Sequence, residues 1–112
     1  MHHHNSEAAQ AHDQVVNAPH KSHLSHELIA AAASYEAAKA YQNHVAKNGQ
    51  PPSHEKAKEL LAAFGGAFID HMVETKGLDF IDKQKAKSEA KKHAEHAYEN
   101  APTEFREQYY AN

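Results

Sequence analysis

Apolar positions recur at three- and four-residue intervals in four segments of this chain, the spacing that gathers them on one face of an α-helix. Ser6 is placed to cap a first helix that runs to about Val16, and Asn17-Ala18-Pro19 breaks it. Ser22 or Ser25 then caps a long second helix reaching about Lys47, with Leu24, Leu28, Ala31, Tyr35, Ala38 and Val45 on one stripe. Asn48-Gly49 stops it, and Pro51-Pro52 marks a loop. Ser53 caps a third helix that ends near Lys76-Gly77. The centre of that helix, Leu60 to Ile69, is apolar on every face, the signature of a helix buried among neighbours.

A fourth helix is expected from about Asp79 to Asn100, with a narrow stripe of Ala86, Ala90, His93, Ala94 and Ala97. Thr103 is placed to cap a short final helix through Tyr110. No segment alternates as a strand does, and there is neither an internal repeat nor a dinucleotide- or phosphate-binding glycine pattern. The expectation is an all-α fold: a small bundle of four main helices joined by short loops. The domain spans 6–100, between a flexible histidine-rich start (1–5) and a C-terminal segment (101–112). Gly65-Gly66 in mid-helix costs about 1 kcal/mol per glycine relative to alanine. Close approach of another helix or a kink is the expected reason, and a ligand lying against bare backbone is the alternative.

Composition sharpens this picture. The chain has 112 residues, no cysteine and twelve histidines. Much of its 40% hydrophobic content is alanine, so the core is expected to be thin, between closely spaced helices. Lacking cysteine, the chain has no disulfide, thiolate zinc site, iron–sulfur cluster or cysteine nucleophile. Formal charge is −3 with histidines neutral and −3 + 12 = +9 with all of them charged, so the sign reverses across the histidine range. The run from Leu60 to Ile69 is about half the roughly 20 residues that a membrane span requires. Met1-His2-His3-His4 is not followed by an apolar leader. A soluble cytoplasmic protein is expected.

The most specific segments are NAPHK, LSHELI, YEAAKAYQNH and VETKGLD. Through them, roughly from Ser6 to Tyr98, the chain resembles the fungal CipC-like antibiotic-response proteins, a family named for induction by concanamycin. The resemblance implies a small cytosolic helical protein that fungi raise under stress or at a change of growth phase. It brings no catalytic residue. Against the family as the resemblance presents it, His71 and His96 look like additions.

The histidines are the candidate chemistry, because imidazole is the commonest protein ligand for transition metals and titrates close to neutrality. His3, third from the amino terminus, could complete a square-planar nitrogen site for Cu(II) or Ni(II); His2-His3-His4 also resembles the remnant of a purification tag. His20, His23 and His26 are spaced by three, with Glu27 four residues after His23, a partial set for Zn, Ni or Cobalt ions that needs ligands from a second helix or subunit. The alternative for them is capping near a helix start. His71 with Glu74, and His93 with His96 beside Glu89 and Glu99, repeat a three-residue spacing that carboxylate-bridged bundles use. Glu89 and Glu99 lie in a charged stretch and are expected to face water, and His93 is expected in the core. Haem is a weaker candidate, needing an apolar slot to which Phe64, Gly65 and Phe68 could contribute.

Lys83, Lys85, Lys87, Lys91 and Lys92 read as a solvated helix face, not a nucleic-acid site. No serine lies in a nucleophile elbow, and no enzyme assignment follows. The expected function is that of a small non-catalytic stress-response protein binding a partner or a transition metal through surface histidines. Sequestration of metal (Cu, Ni or Zn) or haem, and pH-responsive self-association, are the alternatives. A homodimer through the alanine- and glycine-rich surfaces is a further expectation.

Overall fold

The computed structural model of the chain describes residues 7–99, which form four helices and no strand among them. These are α1 (Glu7–Val16), α2 (His26–Asn48), α3 (His54–Lys76) and α4 (Lys83–Glu99). The expected start at residues 1–5, with His3, and the expected short helix from Thr103 lie outside the described residues.

Local chemistry fixes the ends. Ser25, not Ser22, caps α2: its Oγ accepts from the Leu28 N–H at 3.0 Å. Ser53 does the same for α3 through the Lys56 N–H at 3.1 Å. At the other end of α3, Gly77 sits at φ 65°, and the N–H groups of Gly77 and Leu78 both return to the Val73 carbonyl. α4 starts at Lys83 instead of near Asp79. Leu78 and Ile81 are buried, and a tight turn (Ile81 N–H to Leu78 O, 3.1 Å) turns both toward the core. Asp82 then caps α4, its Oδ1 accepting from the Lys85 N–H at 3.2 Å.

α2 is the central element and packs against the other three, while α3 and α4 also pack against each other. The buried residues form two clusters. One joins α1, the first half of α2, the second half of α3 and the start of α4 around Val15, Ile29, Ile69 and Leu78. The other, around Tyr41, Leu61 and Tyr98, fills the opposite end. Each fully buried Ile, Leu or Val side chain contributes about 1.5–3 kcal/mol.

The faces of three helices differ from expectation. The apolar centre of α3 is not enclosed on every side: Ala63 and Ala67 are exposed, and α2 takes the central position instead. On α2 the predicted stripe is only half-buried, and the fully buried set is Ile29, Ala30, Ala32, Ala33, Ala37 and Tyr41. A helix enclosed by three neighbours buries most of its surface, so a single stripe does not define its inner face. On α4 the buried residues follow a strict four-residue step, Ala86, Ala90, Ala94 and Tyr98, and His93 and Ala97 are exposed. The inner face runs from Ala86 through Tyr98 and passes His93 by.

Between the two clusters lies a waist of small residues. A methyl group built on Gly65 would stand 3.6 Å from the Ala33 carbonyl oxygen, 3.7 Å from Ala37 Cβ and 3.9 Å from Ala90 Cβ. α2, α3 and α4 therefore meet there through alanine and bare backbone. The aliphatic stem of Lys87 lies over Gly66 and carries its Nζ to Asp70 Oδ2 at 3.0 Å. Small side chains and this lysine stem thus occupy the space beside the two glycines where a ligand, or the edge of a haem slot, was the alternative.

Candidate functional site

The loop between α1 and α2 (17–25) and the linker between α3 and α4 (77–82) lie far apart in sequence and close together at one end of the bundle. Lys76, the last residue of α3, joins them. Its Nζ donates to the carbonyls of Val16 at 2.7 Å and Ala18 at 2.6 Å, placing a cation on the C-terminal end of α1 where the helix dipole favours one. Its own carbonyl accepts from the Lys21 N–H at 2.7 Å. Lys21 is held at φ 63°, a left-handed conformation that costs a non-glycine residue about 1–3 kcal/mol unless its surroundings enforce it. Here the Lys76 carbonyl on one side and the Pro19 turn (Ser22 N–H to Pro19 O, 3.2 Å) on the other enforce it.

Two histidines of the first loop and one at the start of α2 complete this clasp, each against a different part of the 77–82 linker. The His20 ring lies on Gly77: a Cβ there would come within 2.8 Å of its Cε1 and Nε2 atoms. The His23 ring faces that of Phe80, centroids 5.8 Å apart. His26, the first residue of α2, accepts through Nε2 from the Asp82 N–H at 2.9 Å. The two exposed large hydrophobic residues among those described, Phe80 at 49% and Val16 at 40%, both belong to this end.

Residues 11–101 match the family model described as virulence factor CipC-like. The chain belongs to that family. No curated protein and no solved structure matches it. The match covers both halves of the clasp, and two of the segments that carried the resemblance, NAPHK (17–21) and VETKGLD (73–79), touch each other through Lys21, Lys76, His20 and Gly77.

The other candidate histidines of this CipC-like protein among the described residues lie apart from the clasp. His71 is exposed on α3, as is Glu74, and His93 and His96 are exposed on α4. Among the described residues, no three or more His, Asp or Glu side chains are grouped so as to hold a metal ion. His26 commits its Nε2 lone pair to the Asp82 amide. Glu89 is half-buried, contrary to the expectation that it faces water, with its Oε1 buried and accepting no hydrogen bond; Glu99 is exposed as expected. Lys58 hydrogen-bonds and attracts Glu99, holding its carboxyl below the usual carboxylate range. Burial pushes weakly the other way, and the nearby His96 adds a small pull in the same direction as Lys58.

Two histidines outside the candidate set are built into the packing. His12 on α1 pairs with Glu36 at 2.9 Å, stacks on Phe68 at 5.5 Å between centroids and lies 5.0 Å from Tyr35. It thereby ties α1 to α2 and α3. The signal was present in the sequence, since Ala8, His12 and Val15 share one face of a helix. His54 meets the buried Tyr98 through Nδ1 and the phenol oxygen at 2.9 Å. Nothing in the spacing pairs these two, which lie 44 residues apart. The basic run on α4 is partly spent on structure, Lys83 and Lys87 both reaching Asp70.

Proposed function

We propose that this protein is a non-catalytic component of a fungal stress response and that it works by binding a partner protein at the clasp end of the bundle. Membership of the CipC-like family supports the setting. The observation that carries the binding surface is the position of Val16 and Phe80. Exposed apolar side chains concentrated at one place and rimmed by polar groups mark interaction sites. Here they flank a polar clasp that holds them in fixed positions, with His23, Lys21 and Asp79 at the rim.

Proximity labelling in stressed cells, comparing wild type with Phe80→Ser and with a distant control, His93→Ala, tests this. The expected result is a defined labelled partner that Phe80→Ser reduces about tenfold and His93→Ala leaves unchanged, since loss of one buried aromatic anchor commonly costs at least 1–2 kcal/mol of binding. Identical labelling by all three proteins would overturn the reading.

Transition-metal binding through surface histidines is the second reading, supported by the exposure of His71, Glu74, His93 and His96. Elemental analysis of tag-free protein, purified without immobilised metal and dialysed against a mild chelator, decides it. About one metal per chain or per dimer supports it, and no retained metal removes it.

A further inference from the structure

We propose that the clasp is an acid-released latch: protonation of His26 frees the 77–82 linker from the start of α2. A neutral imidazole carries one N–H and one bare nitrogen, and the bare nitrogen is its only acceptor. Because His26 Nε2 accepts from the Asp82 N–H at 2.9 Å, its proton must sit on Nδ1. Adding a second proton turns Nε2 into a donor aimed at a donor. The hydrogen bond is lost and two N–H groups are forced together.

The surroundings do not rescue the charged form. His26 opens α2, and the positive end of a helix disfavours an added cation. Lys76 from α3, Lys21 from the loop, and Lys83 and Lys85 from α4 add positive charge at this end. A proton on His20 or His23, at the same end, would oppose it further. The opposing carboxylates are Asp82 and Asp79 on the linker, Glu27 on α2, Asp13 near the end of α1 and Asp70 on α3, which Lys83 and Lys87 already engage. Asp82 Oδ1 is already engaged by the Lys85 N–H at 3.2 Å, the bond that caps α4. Asp79, Glu27 and Asp13 are exposed, where water screens them.

The sign follows. The latch is closed while His26 is neutral and opens when acid puts a second proton on the ring. Because Phe80 lies on the released linker, opening would also remodel the partner surface proposed above; the release itself requires no partner.

Nuclear magnetic resonance on the isotope-labelled full chain tests the latch. At pH 7.5 the ring nitrogens of His26 are expected to report the Nδ1–H tautomer with Nε2 bare. Protection of the Asp82 amide from hydrogen exchange, corrected for intrinsic chemistry, is expected to fall roughly tenfold between pH 7.5 and pH 5.5, the worth of one hydrogen bond. The Leu61 amide, in the opposite half of the bundle, should hold its protection. His26→Gln, whose side-chain carbonyl can accept the same bond and does not titrate, should abolish the pH difference at Asp82. An Nε2–H tautomer at pH 7.5, equal loss of protection at Asp82 and Leu61, or no pH dependence at Asp82 would each overturn the proposal. The tautomer is read on the wild-type chain and stands even if the variant does not fold. Since no partner enters the experiment, the outcome is separate from that of the labelling test.

Discussion

The waist and the clasp hold the same bundle together by opposite means. At the waist, helices meet through Gly65, Ala33, Ala37 and Ala90, with contacts of 3.6–3.9 Å for an added methyl. At the clasp, two loops meet through directional bonds: lysine to carbonyl, amide to carbonyl and amide to imidazole. Glycine serves both, but Gly65 and Gly66 keep ordinary helical space around them. Gly77 combines a left-handed backbone with a ring pressed against it. A residue type therefore has no fixed structural meaning in this chain; its backbone angle and its neighbours assign one.

Substitutions can break or sharpen the contrast. The largest effect is expected from Gly77→Ala, which forces a side chain into a left-handed backbone and against His20; it should cost about 3 kcal/mol in denaturant unfolding. Adding His20→Ala should return part of that loss by removing the collision and leaving the backbone strain. Next comes Lys76→Met, which keeps the aliphatic stem and deletes two bonds to the end of α1; a loss of about 1.5–3 kcal/mol is expected from the same measurement. If Lys76→Met proves neutral, the clasp is not a source of stability.

The waist should respond with the opposite sign. Gly66→Ala and Gly65→Ala each remove a glycine from a helix interior without a contact closer than 3.6 Å. Each should raise stability by up to about 1 kcal/mol, visible as a higher melting temperature. A clear loss at Gly65 would mean that the three helices tolerate nothing larger than hydrogen there, and the contrast with Gly77 would narrow.

The smallest effect concerns Glu99. Its carboxyl is held below the ordinary range in the folded protein, so the folded state favours the carboxylate. The Lys58 pair thus supports the fold above the ordinary glutamate pKa of about 4.3, and that support disappears as pH falls through the lowered folded value. Lys58→Met should move the Glu99 titration, followed by its side-chain carbon shifts, back up toward the ordinary range. Stability at neutral pH should barely change, because the pair is at the surface.

Much of the architecture was legible in residue order. Ser53, Gly49 and Gly77 marked helix ends because capping is a local event, decided by three or four neighbouring residues. The same logic left Ser22 and Ser25 undecided, and the Leu28 amide chose Ser25. The start of α4 lies four residues after the expected Asp79, because Leu78 and Ile81 are buried in a turn, which is a tertiary event. His93 falls on the alanine stripe by spacing, but the packed face of α4 follows the four-residue step from Ala86 to Tyr98 and leaves it outside.

The histidines show the limit most clearly. Sequence spacing grouped His20, His23 and His26, and the structure keeps them at one end of the molecule. It turns each toward a different atom of a segment some 56 residues away, instead of toward a common centre. By itself the sequence determined the four helices, the Ser53 cap and the Gly49 and Gly77 stops, the small-residue core and the family, all of which rest on local propensity or on short segments read in order. Only the tertiary structure decided that NAPHK and VETKGLD form one clasp, that His26 gives up its lone pair to Asp82, and that Val16 and Phe80 are left exposed beside it. Those facts depend on which distant surfaces the folded chain brings within 3 or 4 Å of each other, and no spacing along the chain encodes that distance.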